Sequence, residues 1–301
     1  MMTVHIQKKY IKYTEWKRGE TSLRDIGKLY ICPTPIGNLE DITLRVLNTL
    51  KEVDLIAAED TRHTIKLLNH FQIKKPLTSY HEHNKREKGE VIIQKILNGE
   101  SIALVSDAGM PGISDPGEDL IKLAIENNIE VTALPGATAS ILALVLSGLP
   151  TGKFVFEGFL PSKGKERREA LLNIKLERRT IILYESPYRI KALLDLMLEV
   201  LGDRNIALCR ELTKKYEEVF RGSVKEAIDK YNEEEPKGEF VVIIQGNSKE
   251  EDIEEKEWEI SIKAHLNMYI NEGMSKKDAV KKVAEERGIA KNEVYKESIE
   301  I

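Results

Sequence analysis

Between Ser106 and Gly117 the chain reads Ser-Asp-Ala-Gly-Met-Pro-Gly-Ile-Ser-Asp-Pro-Gly. Glycines let a backbone approach a ligand or take positive φ, and prolines stiffen it. Asp107 and Asp115 add two carboxylates. A plain strand-to-helix turn needs far fewer such residues, so this is read as a ligand loop. A second reactive group is Glu59-Asp60-Thr61-Arg62-His63. A carboxylate or His63 can take a proton from a hydroxyl, and Arg62 can hold a phosphate through paired hydrogen bonds. The competing structural reading makes Asp60 a helix N-cap with Arg62 as its ion-pair partner. A third group is basic: Lys163, Lys165, Arg167 and Arg168, with Arg189, Arg210 and Lys214 further on. It suits a nucleic-acid backbone or a solvated helix face. His81 and His83 read as exposed loop residues. With no further His or Cys at ligand spacing, no metal is expected.

The elements that must position these groups alternate. Short apolar runs at 29–32, 55–58, 77–80, 102–105 and 130–134 predict strands, and amphipathic segments between them predict helices, including 43–53, 65–71 and 90–97. That alternation predicts an α/β fold with a largely parallel sheet. Loops near Pro35, Glu59, Asp107 and Gly136 all follow strands, so a parallel sheet gathers them at one edge. The apolar segment Ala139–Leu149 suits a core helix. The pattern restarts after Pro150-Thr-Gly152, with strands predicted at 154–159, 180–184, 205–209, 218–221 and 239–244. Some of those connections are too short for helical crossovers, which predicts a mixed second sheet. The expected organisation is a loosely held extension over 1–27, α/β domains over 28–150 and 151–246, and a linker with a small helical domain over 247–301. That last part has helix-turn-helix spacing, with Gly288 at the turn.

Composition bounds the rest. The 301 residues carry 46 basic and 50 acidic side chains, a net charge of −4, so the chain is no general polycation. Cys32 and Cys209 lie far apart, which argues against a disulfide framework and fits a reducing, cytoplasmic compartment. No apolar run is long enough to span a bilayer, and 1–28 has no secretory pattern.

Four ordered motifs, Thr34-Pro-Ile-Gly-Asn38, Ala58-Glu-Asp-Thr-Arg62, Ser106–Gly117 and Pro135-Gly-Ala-Thr138, resemble those of the tetrapyrrole methylase superfamily over about 27–246. The resemblance implies two α/β domains of the class III methyltransferase type, with S-adenosyl-L-methionine in the cleft between them. It also accounts for the missing Gly-x-Gly-x-Gly of Rossmann-type methyltransferases. The Thr-Pro-Ile-Gly-Asn and Glu-Asp-Thr-Arg forms, with Glu185-Ser-Pro-Tyr-Arg189, are similar to the branch that modifies ribosomal RNA. That similarity implies methylation of a cytidine ribose 2′-hydroxyl in the decoding region of 16S rRNA, within the small ribosomal subunit, by a homodimer to whose interface 139–149 contributes. It implies a donor slot lined by Pro35, Asp107, Met110, Thr138, Ala139, Tyr184 and Leu212 and closed near Phe240. Glu59, Asp60, Arg62 and His63 would face the acceptor. Lys163, Lys165, Arg167, Arg168, Arg189 and Lys214 would grip RNA. Two alternatives share the fold: a methylase of a tetrapyrrole or other small substrate, and a non-catalytic rRNA-binding assembly factor. The basic loops and helical tail favour RNA, and the net charge weighs mildly against it.

Overall fold

The computed structural model describes residues 26–247, 260–287 and 291–298. The expected extension, except for its last two residues, most of the polar spacer and Gly288 lie outside the described residues.

The first half runs β1 (Lys28–Ile31), α1 (Leu44–Glu52), β2 (Leu55–Ala58), α2 (Thr61–His70), β3 (Leu77–Ser79), α3 (Lys85–Leu97), β4 (Ile102–Val105), α4 (Gly117–Glu126), β5 (Glu130–Ala133) and α5 (Ala139–Ser147). Its strands lie in the order β3-β2-β4-β1-β5 and all pair parallel. β2 and β4 are apolar throughout and buried at every position, as helices on both faces require. Their register sets Ala58 beside Val105. The Glu59 and Asp107 loops therefore leave the sheet side by side. α2 begins four residues earlier than its apolar period suggests, because Asp60 caps it.

The second half runs β6 (Phe154–Phe159), α6 (Gly164–Asn173), β7 (Thr180–Glu185), α7 (Ile190–Leu201), β8 (Asn205–Arg210), β9 (Glu218–Ser223), α8 (Val224–Glu233) and β10 (Phe240–Ile244). Its order is β6-β7-β10-β8-β9. Only β6 and β7 pair parallel, so this sheet is mixed as expected. One face, with Ile181, Leu183 and Val242, packs against α6, α7 and α8 through Leu171, Leu193, Leu194 and Val224. The opposite face, with Ile182, Ala207, Val241 and Ile243, is covered by Ala143 and Leu144 of α5. The helix that ends the first half thus roofs the second sheet. Its apolar character serves this internal contact, while Ile141 and Val145 on its other side stay exposed.

Three further helices, α9 (Ile262–Asn271), α10 (Lys276–Arg287) and α11 (Lys291–Ser298), enclose a small core of Leu266, Ala279, Val280, Val283, Ala284 and Val294. Among the described residues, no helix is long and apolar enough to cross a membrane.

Leu144 is 3% exposed at the contact between the halves. Leu144→Ala should destabilise the protein by ~3 kcal/mol, read as a lower urea midpoint.

Candidate active site

On the first half's side, Asp107 is the node. Its backbone N–H donates to Glu59 Oε2 at 3.3 Å, and its Oδ1 accepts from the Asp60 N–H at 3.0 Å. Its Oδ2 lies 3.6 Å from His63 Nδ1. Burial raises the Glu59 carboxyl above its usual range; the Asp107 N–H opposes this, and the Asp107 and Asp115 carboxylates reinforce it. Asp60 behaves oppositely. It caps α2 through the Arg62 N–H at 2.8 Å and pairs with the Arg62 guanidinium at 2.6 Å. Those hydrogen bonds hold its carboxyl far below the ordinary range. The cap-and-ion-pair reading of Asp60 and Arg62 therefore describes their local structure. Asp115 is also engaged, accepting from the Gly112 and Gly117 N–H groups and clamping the loop at the start of α4. Gly109, at φ +80°, exchanges two backbone hydrogen bonds with Thr34.

On the second half's side, Lys214 Nζ bridges Glu211 Oε1 at 2.9 Å and Glu239 Oε2 at 2.8 Å. Thr213 sits in the left-handed region at φ +64°. It is held there by the Asn38 N–H, which donates to its Oγ1 at 3.0 Å, and by its own N–H, which donates to Glu217 at 2.6 Å. The two halves meet at this point. A Cβ on Gly37 would fall 2.5 Å from Lys214 Cγ and 2.6 Å from Thr213 Oγ1, so only glycine fits.

Between these walls lies a cavity of about 560 Å³. Asp107, Met110, Thr138, Ala139, Tyr184, Leu212 and Phe240 line it, as do Glu59 and Lys214. Several expectations need correction. Pro35 is not in the lining; its neighbour Ile36 is. Phe240 contributes no ring: the side chain points to the opposite face of the sheet, against Tyr231, because neighbours on a strand alternate. Asp60, Arg62 and His63 lie outside the lining. Arg167 is 6% exposed and donates to the Pro161 carbonyl, because α6 turns that side of the basic run inward. It offers no surface contact to RNA. Arg168 pairs with Glu199 at 2.8 Å, and Arg189 with Glu185 at 2.6 Å. Lys163 and Lys165 remain exposed. Lys214, expected on an RNA-facing wall, faces the cavity. Ile36, Phe159, Glu211 and Glu239 also line it and were not anticipated. Phe159, Glu211 and Glu239 lie at or next to strand ends and Ile36 in the loop after β1, and only the meeting of two sheets brings them to one place.

The lining suits a cationic nucleoside-like ligand. Ile36, Met110, Leu212 and Val241 offer apolar surface. No side chain caps α5, so its first-turn N–H groups stay open beside Thr138 and can donate to a carboxylate. Asp107 lines the cavity and its partly exposed carboxylate suits a hydroxyl or a positive charge. Among the described residues, no group of three or more His, Cys, Asp or Glu side chains is arranged to hold a metal ion.

Two α/β halves enclosing a cleft at strand ends define a methyltransferase fold. Residues 28–228 match the family model of Tetrapyrrole (Corrin/Porphyrin) Methylases, and the chain belongs to that family. Three curated relatives are each a ribosomal RNA small subunit methyltransferase I. That of Halalkalibacterium halodurans is 52% identical over 272 residues, covering 90% of this chain and 94% of its own. That of Bacillus subtilis is 49% identical over 273 residues, covering 90% and 94%. That of Synechocystis is 46% identical over 277 residues, covering 92% and 99%. Solved structures share the fold at low identity. The methyltransferase CobJ aligns with a TM-score of 0.56 at 18% identity, covering 74% of this chain and 95% of that one. Uroporphyrin-III C-methyl transferase from Thermus thermophilus, complexed with S-adenyl homocysteine, aligns with a TM-score of 0.51 at 16% identity, covering 72% and 97%.

Gly37→Ala should push the 36–38 loop away from Leu212–Lys214. Methyl transfer should fall about 100-fold, as a misplacement of this size costs, with the thermal midpoint lowered by only a few degrees. Activity and calorimetry on one preparation check both.

Proposed function

We propose that this chain transfers a methyl group from S-adenosylmethionine to the ribose 2′-hydroxyl of a cytidine in the decoding region of 16S rRNA. In this reading it acts in the cytoplasm, as a homodimer, on the small ribosomal subunit. Residues 28–150 and 151–246 would form the two catalytic domains, and 247–301 a linker and a small appended helical domain. The observation that carries the reading is the inter-sheet cavity, lined by a carboxylate of raised proton affinity, in a chain about half identical to small-subunit rRNA methyltransferases over nine tenths of its length.

The donor supplies a methyl group on a positively charged sulfur. Ile36, Met110 and Leu212 would hold its apolar body, the open N–H groups of α5 its carboxylate, and Asp107 a hydroxyl or the positive end. In-line transfer requires the acceptor oxygen to be held near van der Waals contact and aligned. The acceptor hydroxyl must also lose its proton. Glu59 is placed to accept it at a carboxylate oxygen, since it lines the cavity and burial raises its proton affinity. Asp60 is a poor acceptor because Arg62 holds it ionised. His63 lies outside the cavity lining, its Nδ1 3.6 Å from Asp107 Oδ2, beyond hydrogen-bond length.

The test is methyl transfer from labelled donor to small subunits from a strain lacking the modification, with naked 16S rRNA and a tetrapyrrole mixture alongside. Alkali-resistant label at one ribose is expected. Label confined to the small molecules would refute the reading, and RNA binding without label would leave an assembly factor. Glu59→Gln should cut kcat by about 10²- to 10⁴-fold with donor affinity retained. Glu59 works only when ionised and its pKa is raised, so wild-type kcat should fall as pH drops through a value above the usual carboxylate range. The Gln variant should lack that limb.

Lys163→Glu with Lys165→Glu should raise KM for the subunit. The slope of log affinity against log salt should also shrink, by roughly 0.7 to 0.9 for each phosphate that the variant no longer neutralises. Unchanged donor affinity is the control.

A further inference from the structure

β6, at the edge of the second sheet, is irregular where it reaches the cavity. Phe156 pairs with Ile182, Glu157 is skipped, and Gly158 and Phe159 pair with Leu183 and Tyr184. Residues three apart in a regular strand face opposite ways. Here the extra residue turns Phe159 to the side of Phe156, as the partners Ile182 and Tyr184, two apart, require. Gly158 makes the turn at φ +63°, with Ser114 Oγ of the first half only 3.1 Å from where a Cβ would stand. Both phenylalanine rings rest on Tyr184, at centroid distances of 5.1 and 5.4 Å. Phe159 lines the cavity yet remains 57% exposed. The bulge thus presents a large ring, backed on one side by Tyr184, at the mouth of the cleft. Core packing does not explain that placement.

The charges around it say what can enter. Glu59, Asp107, Asp115, Glu185, Glu211 and Glu239 line the cavity against one lysine, Lys214. A phosphate backbone is repelled from such an interior, whereas a neutral base and sugar are not. Lys163 and Lys165 stand exposed on the segment that follows β6, four and six residues beyond Phe159. A nucleotide entering base and ribose first would keep its phosphates outside, near these lysines. Resting on the rRNA-methyltransferase reading, we propose that the exposed ring of Phe159 is the stacking platform for the base of the acceptor nucleotide, drawn out of its RNA stack so that its ribose reaches the cavity. Stacking on an aromatic ring is tolerant of base identity. Phe159 therefore supplies grip and alignment, and base choice lies elsewhere.

The experiment compares Phe159→Ala, Phe159→Leu and Phe159→Trp with wild type. It measures kcat/KM on unmodified small subunits, donor affinity by calorimetry, and oligomeric state by sedimentation. The Ala and Leu variants should lose about ten- to 100-fold in kcat/KM, the loss expected for one base–aromatic contact. The Trp variant should stay close to wild type, and donor affinity and sedimentation should not change. A fully active Leu variant would overturn the proposal, since bulk alone would suffice. A matching loss of donor affinity would place the ring against the donor, and a changed sedimentation coefficient would make it a contact between copies; either overturns the platform. If the Ala variant does not fold, the Leu and Trp pair decides. Wild type that labels no subunits would refute the rRNA reading itself. Wild type that labels them beside an unimpaired Leu variant would refute only the platform.

Discussion

The packing of α5 on the second sheet is the contact on which the site depends. Ala143 and Leu144 rest on Ile182, Val241 and Ile243, so the last helix of one half is the missing layer of the other. An α/β sheet needs apolar cover on both faces, and α6, α7 and α8 cover only one. Burial of α5 therefore completes the second sheet's core and sets the spacing of the halves together. The loops after β1, β2 and β4 then face those after β7 and β8 across a cavity of about 560 Å³.

Within that frame, hydrogen bonding separates four neighbouring carboxylates into different roles. Asp60 is spent on a helix cap and Arg62, and Asp115 on two loop N–H groups. Asp107 ties the two strand ends together and lines the cavity. Glu59, accepting one long backbone hydrogen bond and partly desolvated, is left with raised proton affinity. Environment, not residue type, sets the proton affinity of each. Across the cleft, Lys214 bridges Glu211 and Glu239, and a left-handed Thr213 and a side-chain-free Gly37 allow the close approach.

The strand-end loops were legible because glycine, proline and aspartate have strong local preferences, and the alternation of elements made the parallel sheet legible too. The basic run at 163–168 misled for a physical reason. Charge is readable in a sequence, but the direction of a side chain on α6 is not. Arg167 is turned in toward Pro161, while Lys163 and Lys165 face solvent. Phe240 lines the cavity through its strand, while alternation along β10 sends its ring to the far face. Phe159 was hidden because a bulge shifts the alternation by one residue.

By itself, the order of residues determined where strands end, which loops are rich in groups that free or stiffen the backbone, and the family motifs they spell. Those are local properties, set by the conformational range and chemistry of each residue and its near neighbours. Which groups share a cavity, which carboxylate gains proton affinity and which arginine is buried were decided only by tertiary structure. These depend on distance, desolvation and hydrogen bonding between segments as far apart as Asn38 and Thr213, and such terms exist only once the two sheets have closed on α5.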